Sequence, residues 1–272
     1  MGPQHRFARS FNRTENQRRD ERWETGLSAA KKNTKRALIA IYRTLTRLFG
    51  SFADCKYLDP QVPISKLNHL QYLANIGNRK GIRILEIGSR EVTGKSDARE
   101  RFSNAEYVGF DFHPGPNVDV VGDAHRLSQY FGGQRFDIIF SIAVFEHLAM
   151  PWVVATEIAK LLKPGGIILV KTHFSYSSHE RPWHFFQFSD MALRVLFSPA
   201  LGFECIEAGA SNPVVGRFSA LAEQGLRFTP VTGLYCGSEF LGRKIKDVDH
   251  FDWNDAKLGE VVGGTEYPPP QL

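Results

Sequence analysis

Two kinds of residue in this chain are spaced for chemistry: acidic groups that close short apolar runs, and histidines gathered after a later one. The first run ends Ile84-Leu85-Glu86-Ile87-Gly88-Ser89-Arg90, where a glycine lets the main chain turn sharply and come close to a ligand. The next, Tyr107-Val108-Gly109-Phe110-Asp111, closes on a carboxylate able to accept both hydroxyls of a ribose. Val121-Gly122-Asp123-Ala124 then offers an acceptor for an adenine amino group, with little bulk beside it. A fourth run passes through Ser141 into Ala143-Val144-Phe145-Glu146-His147-Leu148, and Leu161-Leu162-Lys163-Pro164-Gly165-Gly166 turns directly into a fifth. After the fifth, residues 172–188 combine His173, His179 and His184 with Phe174, Tyr176, Trp183, Phe185, Phe186 and Phe188.

The elements that must position these groups alternate regularly. Strands are expected at 82–87, 107–112, 118–122, 136–142 and 167–171, with helices at 64–77 and 151–162. A helix near 189–197, a strand at 203–208, a helix near 215–224 and a strand near 233–240 complete the pattern. Such alternation implies right-handed crossovers and a parallel sheet covered on both faces. Ligands then bind at the carboxyl ends of the strands, where the acidic groups and histidines above all fall.

The five segments, in this order and spacing, resemble the class I S-adenosylmethionine-dependent methyltransferases over roughly residues 65–240. The resemblance implies an α/β, Rossmann-like fold: a seven-stranded, mostly parallel sheet with helices on both faces and an antiparallel last strand. It implies S-adenosyl-L-methionine as cofactor, with Glu86, Gly88 and Ser89 flanking the methionine part and Asp111 on the ribose. Phe112 would lie against the adenine, Asp123 and Ala124 at its edge, and Ser141 along the near side. The usual second glycine of the turn is Arg90 here. It is open to two readings, surface pairing or contact with the cofactor's carboxylate, and surface pairing is the simpler.

Methyl transfer to a hydroxyl requires positioning and removal of a proton, and histidine titrates in the right range. The candidates for this base are His147, His179 and His184. His173, Tyr176, Trp183 and Phe185 read as an acceptor wall or lid, with plain loop packing as the alternative. His113 and His125 read as loop or capping residues. The segment also resembles a bacterial subgroup whose members often modify sugars, glycans or secondary metabolites. A small-molecule or saccharide hydroxyl is therefore the expected acceptor, with N- or C-methylation and a catalytically silent scaffold as alternatives. No metal is expected. The segment closing the fourth run resembles in part the E-x-x-E-H pattern with which some ubiquinone-pathway and small-RNA ribose methyltransferases hold a divalent cation: Glu146 and His147 match its second half, Ala143 replaces the first carboxylate, and the sequence does not place His179 or His184.

Composition sets limits. The 272 residues are 42% hydrophobic and 23% charged, enough for one substantial core. Residues 1–50 hold 12 Lys and Arg against 4 Asp and Glu, whereas the remainder holds 22 against 25. The body is thus not basic, which argues against nucleic acid as a partner. Residues 1–25 are expected to be mobile, residues 26–63 to form a basic amphipathic helix and connector, residues 64–245 the catalytic domain, and residues 246–272 a tail. The helix reads as packing on the domain or on a second subunit of a homo-oligomer, ahead of peripheral membrane contact. Three scattered cysteines and the lack of a long apolar run point to a cytoplasmic protein.

Overall fold

The computed structural model describes residues 33–45 apart from 35, 39 and 42, and residues 58–263 apart from 60, 66, 67 and 93. The chain divides into two compact units, 1–56 and 57–272. In the first, the described residues are helical and exposed, and Leu38, Ile41 and Leu45 recur along one side of the helix. The expected mobile segment 1–25 lies outside the described residues. No helix among those described is long and apolar enough to cross a membrane.

The second unit is built on a seven-stranded sheet. Its strands are β1 (Arg83–Ile87), β2 (Glu106–Asp111), β3 (Val120–Val121), β4 (Phe136–Ile142), β5 (Leu162–His173), β6 (Phe203–Pro213) and β9 (Tyr235–Lys244), in the order β3-β2-β1-β4-β5-β9-β6. All run parallel except β9, which lies antiparallel between β5 and β6. The fold is the expected Rossmann-like one. Alternation along the central strands buries both faces: Leu85, Ile87 and Ile139 join one core with Phe145, Ile158 and Phe197, while Ile84, Ile138 and Phe140 join the other with Leu73 and Phe102.

Helix α1 (His69–Gly77) covers the second face, with the Asn68 side chain accepting from the Gln71 amide as its cap. It starts five residues later than the sequence suggests, because Ile64 bridges to Ala210 and extends the outer edge of β6. Helices α3 (Pro151–Leu161) and α4 (Asp190–Leu196) pack on the first face, after the short α2 (Ala98–Arg101). Proline at the start of α3 and the Ser189 side chain capping α4 mark where each begins. The Lys163–Gly166 turn is an excursion inside β5. Pairing with β4 jumps from Leu162 to Ile167, and Lys163 Nζ bridges back to both oxygens of Asp137 at 2.9 Å.

One expected helix is not formed. Residues 215–224 instead enter a hairpin of β7 (Gly216–Arg217) and β8 (Pro230–Val231), whose arm is closed by bonds from Phe218 N to Thr229 O and from Phe228 N to Phe218 O. The β-branched Val214-Val215 followed by Gly216 is a poor helix start, and extension from β6 prevails. Of segment 246–272, the described part packs on the domain: Phe251 and Trp253 lie against the core, and the Trp253 indole donates to Trp152 O at 3.1 Å.

Candidate active site

The carboxyl ends of β1 to β5 form one edge, and every residue singled out above lies on or beside it. Gly88 makes the first turn with φ of 83°, and a Cβ there would stand 2.1 Å from Val144 Cγ2. Both its conformation and its surroundings exclude a side chain. The amides of Gly88 and Ser89 donate to Phe110 O at 2.7 and 3.1 Å, which ties the turn to β2.

That tie brings Arg90 onto Asp111. Oδ1 of Asp111 accepts from Arg90 Nε at 3.2 Å and from the His113 amide at 2.9 Å, and Oδ2 faces the Arg90 amide at 3.3 Å. Arg90 is therefore paired, as the simpler reading has it, but with the carboxylate expected to hold the ribose. Any ribose must share Asp111 with the guanidinium or displace it. Phe112 is 57% exposed, with its ring 6.2 Å from that of Trp183.

Three expected cofactor residues support the edge from beneath instead of facing outward. Glu86 is buried and held by the Tyr107 hydroxyl and by Asn117 Nδ2, and burial pushes its carboxyl up to about 7 despite the bond from Asn117. Ser89 is buried with its Oγ lacking a hydrogen-bond partner. Ser141 is fully buried and donates to Ile87 O at 3.0 Å, so it braces the glycine turn and does not line a ligand surface. Asp123 remains half-exposed. Burial alone would raise its pKa, but bonds from the His125 amide and ring hold the carboxyl below its usual range. It thereby caps the following turn, where Ala124 is buried and His125 acts as a capping partner.

His147 and His173 face a residue that the sequence reading weighed only as half of an incomplete metal pair. Glu146 is 0% exposed. Its carbonyl accepts from the amides of Phe185 and Phe186 at 2.9 and 3.2 Å, pinning the loop after β5 to the end of β4. Oε2 accepts from Thr172 Oγ1 at 2.7 Å. Oε1 lies 3.0 Å from His173 Nδ1 and 4.0 Å from His147 Nε2. The 3.0 Å contact is close but misaligned, so Oε1 and His173 Nδ1 are both buried without a directed hydrogen bond.

Main-chain partners set the imidazole tautomers. His147 Nδ1 lies 2.5 Å from Trp183 O, and His179 Nδ1 lies 2.9 Å from Ser177 O. A carbonyl only accepts, so each Nδ1 carries the proton and each Nε2 keeps its lone pair. His184 is the reverse. Its Nδ1 accepts the His179 amide at 3.3 Å, placing the proton on Nε2, which is buried and unpartnered. His179 is the hub, with ring centroids 4.9, 5.3 and 4.6 Å from those of His147, His173 and His184. Tyr176 stacks on His173 at 4.4 Å. Burial lowers the His173 pKa, the Glu146 charge opposes this, and the neighbouring imidazoles lower it further, so the ring is neutral at neutral pH.

The structure thus gathers His147, His173, His179, His184 and Tyr176, and sets Trp183 and the half-exposed Phe185 between this cluster and Phe112. Glu146 and Thr172 were the residues missed. The only sequence signal for Glu146 was its place beside His147.

A family model described as a methyltransferase domain matches residues 64–200. Structures similar in fold include TehB from Haemophilus influenzae, 14% identical over 67% of this chain and 63% of that one, with a TM-score of 0.44. This chain accordingly spans less than two thirds of the TehB chain. The YcgJ protein from Bacillus subtilis is 17% identical over 65% of this chain and 98% of that one, at 0.45. A 1,6-didemethyltoxoflavin-N1-methyltransferase from Burkholderia thailandensis is 14% identical over 66% and 79%, at 0.44. No curated protein sequence matches. The family match carries the assignment: it spans half of the chain, from before β1 to beyond α4, and holds both the strand-end carboxylates and the imidazole cluster. The chain belongs to the methyltransferase-domain family.

Proposed function

We propose that this enzyme methylates a hydroxyl on a saccharide or another polar small molecule, seated against the loop of residues 174–188. The observation that carries the reading is the cluster of imidazoles bordered by the exposed rings of Tyr176 and Trp183, beside the edge proposed to hold the ribose. Aromatic faces suit the carbon face of a sugar, and hydroxyl acceptors need a base that is unprotonated at neutral pH.

The cofactor edge fits its ligand by the chemistry of its groups. Asp111 offers charge-assisted acceptance to ribose hydroxyls, the exposed Phe112 ring offers a face to adenine, and Asp123 an acceptor at the adenine edge. When bound there, S-adenosylmethionine supplies an electrophilic methyl group on a sulfonium sulfur. The chain itself must hold the acceptor oxygen in line and take its proton. Two imidazoles have Nδ1 bonded to a main-chain carbonyl and Nε2 left for this, His147 and His179, and His173 stands beside them. His184 carries its proton on the buried Nε2 and is not arranged to act as base.

The test is methyl transfer from labelled cofactor to pooled saccharides and small polyols. Labelled ethers formed by the wild type and lost in the histidine variants support the reading. Labelled amines or carbon-methylated products, with saccharides untouched, overturn it.

A further inference from the structure

We propose that the helix described over residues 33–45 is a peripheral attachment to an anionic lipid surface. Its side chains divide into two faces. Leu38, Ile41 and Leu45 stand three and four residues apart, which sets them in one stripe, and they are 61, 57 and 50% exposed. Arg36 and Arg43 are exposed as well. At about 100° of rotation per residue they fall beside one another, roughly opposite the stripe.

The charge pattern names the partner. From Thr25 to Ala53 the sequence holds Lys31, Lys32, Lys35, Arg36, Arg43 and Arg47 and no Asp or Glu. A second copy of the helix would bring more cations and no carboxylate, so pairing stripe to stripe sets like charges together. Nucleic acid would neutralise the cations but leave three large aliphatic side chains in water. A lipid surface with anionic headgroups meets both demands along the same helix: the acyl boundary takes the aliphatics, and the phosphates attract the guanidinium groups.

The attachment is in the plane of the surface, because no helix among the described residues is long and apolar enough to cross a membrane. Three aliphatic side chains bury little, and charges attracted across water are screened by salt. Binding is therefore reversible and falls as ionic strength rises. It is separate from the acceptor reading, and a failed saccharide screen leaves it standing.

The test uses the full chain and vesicles of phosphatidylcholine, alone or mixed with phosphatidylglycerol, with bound protein measured by flotation. The mixed vesicles should bind the chain about tenfold or more tighter than the neutral ones, and high salt should remove most of that difference. Joint replacement Leu38→Gln, Ile41→Gln and Leu45→Gln should lower binding about a hundredfold or more, and Arg36→Gln with Arg43→Gln about tenfold. S-adenosylhomocysteine affinity within about threefold of the wild type reports that the catalytic domain is intact in each variant. The β7–β8 arm, with Leu221 96% exposed, is unchanged in these variants, so wild-type binding by the triple variant would move the contact off the helix and overturn the proposal. Absence of binding to the mixed vesicles, or equal binding to both kinds, overturns it too. A dimer that the triple replacement breaks, with no vesicle binding in the wild type, would give the stripe to a second copy instead.

Discussion

The two sides of the active-site edge are held in different ways. On the cofactor side, strand geometry does the positioning: Gly88 and Ser89 are bonded to Phe110 on the neighbouring strand, and Asp111 is the last residue of β2. On the proposed acceptor side, His179 and His184 hang on an irregular loop, while His147 follows β4 and His173 ends β5 beside it; single bonds from ring nitrogens to main-chain groups hold His147, His179 and His184, and the buried Glu146 lies against His173. A sheet edge tolerates little change but sets its groups reliably. A loop cluster can be re-aimed by changing one residue, and that freedom is where acceptor choice resides in this fold.

The largest effect should come from Gly88→Ala. Its positive φ and the 2.1 Å approach of Val144 would cost about 3 kcal/mol or more of stability, read by denaturant unfolding. A near-neutral change would mean that the cofactor turn is as adaptable as the loop. Next, His173→Gln should lower kcat by about 100-fold or more, with S-adenosylhomocysteine affinity within about threefold. If affinity falls instead, the two sides are not separable. Asp111→Ala should do the opposite, weakening S-adenosylhomocysteine binding by about 1.5 to 3 kcal/mol as calorimetry would measure it.

An effect of comparable size, but dependent on pH, belongs to Glu86. Its folded pKa of about 7 lies above the ordinary value of 4.5, so the folded state holds a proton that the unfolded chain releases. Stability should therefore decline as pH rises from about 4.5 through 7, by on the order of 3 kcal/mol. Glu86→Gln should flatten this slope and melt above the wild type at pH 8. A parallel pH profile for the two proteins would show that Glu86 does not titrate in this range. Smallest of all, deletion of residues 1–25 should leave cofactor affinity unchanged, because so polar a segment has little to bury.

The sheet and the cofactor edge were legible because their signals are local. Apolar runs such as Ile84–Ile87 carry strand periodicity, and a glycine or aspartate at the end of a run falls at a fixed place on the sheet. Which side chains face outward was less legible. Ser141 and Glu86 follow the pattern in sequence yet lie buried, since alternation along a strand leaves the choice of face to neighbours such as Tyr107. The bracing role of Glu146 was legible only as its place beside His147. It depends on contacts with Thr172 and His173 at the end of β5 and with Phe185 in the loop beyond, all more than two dozen residues away. The misplaced helix at 215–224 has a related cause: its residues are amphipathic enough for either state, and pairing across the hairpin settles the matter.

The position of β9 between β5 and β6 has a consequence for how the molecule assembles. Strands β1 to β5 pair among themselves, whereas β6 has no strand of the main sheet beside it except β9. The acceptor loop depends on the same late strand: Phe174 and Ser175 donate to Cys236 O, and Ser238 Oγ donates to Phe188 O. A chain growing from its amino end can thus complete the strand ends of β1 to β4 while the loop proposed to seat the acceptor still lacks its backing. Fixing of that loop waits on pairings between residues far apart in sequence, which are the slow ones to form. A nascent or partly unfolded chain would accordingly recover its grip on cofactor before it recovers a place for the acceptor.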